Sequence, residues 1–301
     1  MNEIRRTAVL GLGALGILFG IPMQEHSQVQ VIADEDRIRR YQAQPGRCNG
    51  KPYAFDYVLP SQGEPVDLIL VATKATALEQ ALPKLEHFVG PDTVILSLLN
   101  GITSEEKIEA RYPGHTLWSV AIGMDATRMG RDLEYKNMGM IQFGEKDGSL
   151  TPRLERVKEY FDRCGIESQV CTDILYKQWH KLMVNVGLNQ TSAAFGLTYG
   201  GLCQKGKAYD TMLRAMEETI ALANAKGIPL PPDNHTRWLD ANLPTFKEDG
   251  RPSMGQDILA GRPTEVEEFS GIVRRLGREC GIPTPANDFF YATIRNLEEK
   301  N

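Results

Sequence analysis

The chain has 301 residues, 42% of them hydrophobic, enough to bury one large core or two ordinary ones. A formal net charge of -5 offers no broad basic surface to a phosphate backbone, which argues against a nucleic-acid partner and requires any anionic ligand to be held locally. The five cysteines (Cys48, Cys164, Cys171, Cys203 and Cys280) are odd in number and lack metal-ligand spacing, which argues against a disulfide framework and a zinc site and points to a reducing cytoplasm.

The first half alternates short apolar runs with helix-period patterns, as a doubly wound parallel sheet requires. Residues 7–10, 29–33, 67–72, 93–98 and 117–122 read as strands, and 15–25, 75–88 and 104–112 as the helices between them. Residues 130–148 are expected to form an antiparallel hairpin at the sheet edge, followed by a helix over 152–164 and a short strand at 167–170. After Thr172 the β-branched runs stop, and 175–188, 208–226, 234–241 and 265–280 read as helices. Gly227 with the prolines beyond it, and Gly281-Ile282-Pro283, are helix-stop signals. The expected fold class is therefore α/β Rossmann-type with a second, all-helical domain, divided as 1–172 and 173–301.

Arg5-Arg6 followed by the apolar run 8–21 imitates the charged and apolar regions of a secretory signal peptide. No A-x-A cleavage pattern follows, however, and the glycines within the run have another explanation. No other segment is apolar for about 18 residues, so no membrane span is expected.

That explanation is a dinucleotide turn. Gly11-Leu12-Gly13-Ala14-Leu15-Gly16 is a complete G-x-G-x-x-G between a strand and a helix. Gly11 suits the tight turn, Gly13 a close approach of pyrophosphate to the backbone, and Gly16 close packing of helix on strand, while the helix N-terminus holds the anion. A glycine-rich turn alone often serves packing only. Here a second strand ends near Asp34, 18 residues after Gly16, where the fingerprint expects an acidic residue. A carboxylate there bonds the ribose hydroxyls and repels a 2′-phosphate, which favours NAD(H). The run Asp34-Glu35-Asp36-Arg37 also reads as a solvated polar loop, and Arg37, Arg39 or Arg40 would reach a phosphate. Lys74 and Asn100-Gly101 fall at the carboxyl ends of predicted strands, where open α/β sheets bind ligands, although a helix-start lysine and a simple turn are the blander readings.

In the helical half, Lys181, Asn185 and Asn189 recur at i, i+4 and i+8, a narrow polar face on an otherwise apolar helix. That face either lines a cleft for a polar ligand or is a solvent-facing strip.

The blocks VLGLGALG (9–16), TKA (73–75), LNG (99–101), WHKLMVN (179–185), SMGQDI (253–258) and PTEVE (263–267) together resemble the ketopantoate reductase family, in its order and over nearly the whole chain. The resemblance implies a Rossmann domain, a helical domain like the C-terminal one of 6-phosphogluconate dehydrogenase, and an active site in the cleft between them. It implies reduction of 2-dehydropantoate to (R)-pantoate, a step toward pantothenate and coenzyme A, with NADP(H) as the family's usual cofactor. By motif, Lys181 resembles the general acid, Asn185, Asn189 and Ser253 resemble substrate contacts, and Lys74, Asn100 and Ala126 resemble cofactor contacts beside Gly11 to Gly16. Glu265 resembles the glutamate near cofactor and lysine, and Thr264-x-x-Glu267 also reads as a helix-capping box. Two positions depart from the pattern: Asp34 stands where many members have arginine, and Tyr199 where some carry a substrate-contacting asparagine. A reductase of another 2-oxo or 3-hydroxy acid, and a non-catalytic dinucleotide sensor, are the competing readings. No metal is expected; the sequence is compatible with a homodimer and does not fix the assembly.

Overall fold

The computed structural model describes residues 3–300, and the chain divides into two compact units between Ile174 and Leu175. The first unit contains β1 (Arg6–Leu10), α1 (Ala14–Met23), β2 (Gln28–Ile32), α2 (Glu35–Ala43), β3 (Gly46–Cys48), β4 (Lys51–Tyr53), β5 (Asp56–Val58), β6 (Val66–Val71), α3 (Leu78–Ala81), β7 (Val89–Ser97), α4 (Ser104–Arg111), β8 (Thr116–Ile122), β9 (Thr127–Met129), β10 (Asp132–Glu134), β11 (Met140–Gly144), α5 (Pro152–Arg163) and β12 (Ser168–Val170).

Eight strands form one sheet in the order β12-β11-β8-β7-β6-β1-β2-β5. Every neighbouring pair is parallel except β11 with β8. Strand residues alternate between two apolar layers, as the period of two dictates. Val9, Leu70 and Leu96 pack with Ile17 and Leu18 of α1 and with Val157 and Phe161 of α5. Ala8, Ile69 and Ile95 pack with Leu78 of α3 and Ile108 of α4. Both faces are thus covered, which is why the central strands are apolar throughout rather than half polar. The apolar run behind Arg5-Arg6 is β1 and α1 of this core, and among the described residues no helix is long and apolar enough to cross a membrane.

Three expectations for this unit are corrected. The hairpin over 130–148 does not exist as one piece: β9 and β10 pair antiparallel in a separate four-stranded sheet, β4-β3-β10-β9, while β11 joins the main sheet against β8. Residues 75–88 form a 3-10 turn, the short α3 and another 3-10 turn, not one helix; Pro83 stands within the second turn, where it has no amide to continue an α-helical ladder. The stretch between α2 and β6, for which the sequence pattern predicts no strand, holds the three-residue strands β3, β4 and β5.

The second unit is helical: α6 (Ile174–Phe195), α7 (Tyr199–Leu202), α8 (Lys207–Ala225), α9 (Asn234–Asn242), α10 (Ser253–Leu259), α11 (Ser270–Cys280) and α12 (Pro285–Glu298). Gly187 and Gln190 of α6 contact α8, α11 and α12. A Cβ on Gly187 would lie 2.5 Å from the Met216 sulfur, so the missing side chain lets α8 approach closely. The fully buried Gln190 accepts from the Ser270 amide (3.0 Å) and donates to Asn287 Oδ1 (3.3 Å), tying α6 to α11 and α12. Gly227 and Gly281 lie at φ +81° and +68°, ending α8 and α11 as the stop signals require. The helix expected over 265–280 is broken: a 3-10 turn (Val266–Glu268) gives way at Phe269 (φ -110°, ψ -93°) before α11 begins. The Ser270 amide, captured by Gln190, has a side-chain partner in place of a continuing helical bond.

Candidate active site

The glycine turn lies between β1 and α1, at the carboxyl end of a central strand of the sheet. Gly11 sits at φ +104°, and a Cβ there would lie 2.8 Å from the Ala72 carbonyl and the Thr73 nitrogen; both the backbone angle and the contact demand glycine. A Cβ on Gly16 would collide with the Gly11 carbonyl oxygen, so the helix packs on the turn that precedes it. Gly13 is different: it is the N-cap of α1 at an ordinary φ of -76°, half-buried, with no side chain capping the helix. Leu12 is buried, and Ala14 and Leu15 are half-buried beside it. The first-turn amides of α1 thus carry the positive end of the helix with no acidic residue in that turn, a cradle that fits a pyrophosphate.

The carboxyl ends of β6, β7 and β8 lead into the other residues assigned by motif. Lys74 is exposed just beyond β6, Asn100 is half-buried beyond β7, and Ala126 is half-buried beyond β8, packed against the core. Thr73, which no spacing argument singles out within the TKA block, is more telling than Lys74. Its hydroxyl is buried and finds no partner among the described residues, an arrangement that costs free energy unless a ligand supplies the bond. The donor set and the uncapped helix fit a dinucleotide.

Asp34 follows β2 as expected, but it is also the N-cap of α2. Its Oδ1 accepts from the Arg37 amide at 2.9 Å, while Oδ2 lies 3.6 Å from Arg37 Nε and 3.8 Å from Lys84 Nζ. The Arg37 amide chiefly, with the two cations behind it, holds the carboxyl below the usual carboxylate range. Arg39 is paired with Asp36 instead. Lys84 carries no signal in the sequence because it reaches Asp34 from another βα unit, far along the chain.

In the second unit the polar stripe is a connected network. Asn189 Nδ2 donates to Asn185 Oδ1 (3.1 Å), and Asn189 Oδ1 accepts from Ser253 Oγ (3.0 Å) and from the Met254 amide (3.1 Å). Asn185, Asn189 and Ser253 are therefore brought together, with Lys181 one turn before Asn185 on the same face of α6. The contact is close because α10 begins at Ser253 and Gly255 abuts Ser192, where any side chain would collide. Asn189 is 8% exposed and spends its carboxamide on the protein, whereas Lys181 and Asn185 are half-buried. Glu265 is half-buried before the 3-10 turn, with its carbonyl accepting from the Glu268 amide.

The capping box expected at Thr264 and Glu267 is not formed. Thr264 donates to Glu298 through both its amide and its hydroxyl (2.7 Å each), and Glu267 accepts from Tyr291 (2.6 Å), so both residues serve α12. Neither bond is local, and the helical pattern in the sequence does not announce α12.

Residues 7–148 match the family model described as ketopantoate reductase PanE/ApbA, and residues 173–298 match the model of its C-terminal domain. The chain is 26% identical over 298 residues to the 2-dehydropantoate 2-reductase of Archaeoglobus fulgidus, covering 98% of this chain and 99% of that one. Among solved structures, D-mandelate dehydrogenase in complex with NADH and anilino(oxo)acetate superposes with a TM-score of 0.87 at 24% identity, with 98% of each chain covered. A PanE/ApbA family ketopantoate reductase from Ralstonia eutropha JMP134 gives 0.82 at 24% identity, covering 98% of this chain and 99% of that one. Fold, glycine cradle and matches define a nicotinamide-dinucleotide-dependent oxidoreductase. The chain belongs to the ketopantoate reductase family.

Proposed function

We propose that the chain reduces the ketone of a small 2-oxo acid, 2-dehydropantoate to (R)-pantoate, in the route to pantothenate. The observation that carries this reading is Lys181, Asn185 and Asn189 on one face of α6 with Ser253 of α10 bonded to it, a cation followed by an amide-hydroxyl network. The bound dinucleotide would supply the hydride to the carbonyl carbon. Lys181 stabilises the developing alkoxide and gives its proton to that oxygen, so the product is the 2-hydroxy acid. Asn185 and Ser253 hold the substrate's hydroxyl and carboxylate, with Asn189 fixing Ser253 in place. Glu265 is assigned to the same reaction, as its motif implies. Gly11 to Gly16, Thr73, Lys74, Asn100 and Ala126 hold the dinucleotide.

For the cofactor we infer a preference for NADH, because a 2′-phosphate next to Asp34 meets a like charge. Arg37 and Lys84 soften that repulsion without removing the carboxylate. A second substrate reading, another 2-oxo or 3-hydroxy acid, is favoured by one residue: Tyr199 puts a half-buried ring where an amide would suit a hydroxylated substrate. A non-catalytic sensor would have no use for the Lys181 line. Replacing Lys181 by alanine is expected to lower kcat for 2-dehydropantoate by about 10² to 10⁴, roughly 3 to 5 kcal/mol of barrier, with cofactor affinity retained. A variant turning over at the wild-type rate removes Lys181 from the chemistry.

A further inference from the structure

A chain of buried polar groups ends at the segment that carries Asn100. The ladder between β7 and β8 runs through Leu96 opposite Leu117 and then stops. Beyond it the Ser119 hydroxyl donates to the Ser97 carbonyl (2.6 Å), and the Ser119 amide to Glu105 Oε1 (3.4 Å). Ser97 shares the strand face of Ile95, the face covered by α4, so its hydroxyl meets the start of that helix. From there one line of bonds runs on. The Leu99 amide donates to Ser97 Oγ (3.3 Å), Ser97 Oγ to Ser104 Oγ (2.7 Å), and Ser104 Oγ to Glu105 Oε2 (2.8 Å). A backbone amide only donates and an ionised carboxylate only accepts, so the two ends fix the direction of both hydroxyls between them.

The helix dipole does not account for Glu105. The adjacent Glu106, exposed and paired with Lys146, already places a carboxylate in the first turn of α4. Glu105 is 1% exposed, and Ser97, Ser104 and Ser119 are buried with it. Burying a carboxylate is costly unless its oxygens are bonded, and here both accept. An apolar side chain would fill the same space without that cost, but it would leave the Ser104 hydroxyl without its acceptor and the line to Leu99 without direction. Leu99 directly precedes Asn100, and Gly101, at φ +94°, turns the chain immediately after it. Resting on the assignment of Asn100 to the dinucleotide, we propose that Glu105 is a positioning residue whose carboxylate, through Ser104 and Ser97, pins the Leu99 amide and so presents Asn100 to the cofactor.

The test is the Kd of NADH, titrated in the wild type, Ser97→Ala, Glu105→Gln, Asn100→Ala and the two double variants that combine Asn100→Ala with each of the others. Ser97→Ala removes the acceptor of the Leu99 amide. Glu105→Gln keeps the size of the side chain and replaces one of its two acceptors by a donor. Each is expected to raise Kd about three- to tenfold, and KM for NADH alike, with kcat at saturation changed by less than about twofold. On the Asn100→Ala background neither should raise Kd by more than about twofold, because residues that act through Asn100 have nothing left to position. Tm is measured beside each Kd, and it falls in either case, so the affinity decides. A folded Ser97→Ala or Glu105→Gln protein with wild-type Kd, or the full loss repeated on the Asn100→Ala background, overturns the proposal and leaves the Asn100 assignment standing. Unfolding of both single variants makes the chain a support of the fold and overturns it as well. An Asn100→Ala protein with wild-type Kd overturns the assignment of Asn100, and the proposal with it.

Discussion

Asp34 shows how one side chain serves two ends. Its carboxylate caps α2 through the Arg37 amide and also sets the charge beside the strand end where the adenosine ribose is expected. Cap and charge separate in two substitutions, because asparagine caps as well as aspartate while alanine does not. Asp34→Asn is expected to melt close to the wild type and to shift kcat/KM about tenfold toward NADPH, whereas Asp34→Ala should also lose about 1 kcal/mol of stability. An unchanged cofactor ratio in Asp34→Asn would leave the residue as a cap alone. The amide line divides in the same way. Ser253→Ala removes one hydroxyl and is expected to raise KM more than it lowers kcat. Asn189→Ala strands the Ser253 hydroxyl and the Met254 amide at once, so its loss should include stability, read as a lower Tm. Equal Tm values for the two variants would show that Asn189 holds nothing in place.

At the scale of elements, the β1 turn and α1 form a device in which three glycines have three different reasons. Gly16→Ala drives a methyl into the Gly11 carbonyl and is expected to lower Tm and cofactor affinity together. Gly13→Ala meets only Ala72 O at 3.2 Å, at a backbone angle open to any residue. It is expected to fold near wild-type stability and to weaken dinucleotide binding selectively, measured as a dissociation constant beside a melting curve. A Gly13→Ala protein that binds the dinucleotide at full strength contradicts the close approach of pyrophosphate at that residue. This device is legible in the sequence because the spacing of its glycines and its flanking periodicities are local. What escapes is held by distant partners: β3, β4 and β5 are three residues each and carry too little alternation to announce themselves, and β11 leaves its apparent hairpin to pair with β8. The break at Phe269 is likewise set from α6, by Gln190, and the fate of Thr264 by Glu298 in α12. The stripe Lys181, Asn185 and Asn189 is legible as one helix face, but not that Asn189 turns inward to serve Ser253.

At the scale of the whole molecule, an α/β unit with an eight-stranded sheet precedes a helical unit, and in the proposed reaction each brings one half of the required chemistry: an uncapped helix over a glycine turn for the dinucleotide, and a cation on an amide-bearing helix for the carbonyl. The alternation of apolar runs and helical periods makes the first visible in sequence, and the end of β-branched runs after Thr172 the second. With a net charge of -5, long-range attraction for anionic ligands is weak, so binding must rest on the local cations and amides named above. The most direct measurement of the central claim is oxidation of NADH and of NADPH by the purified protein, side by side, with and without 2-dehydropantoate. Oxidation that depends on the 2-oxo acid, yields (R)-pantoate and is faster at limiting NADH than at limiting NADPH is the expected result; cofactor binding with no acid-dependent oxidation of either nucleotide would contradict it.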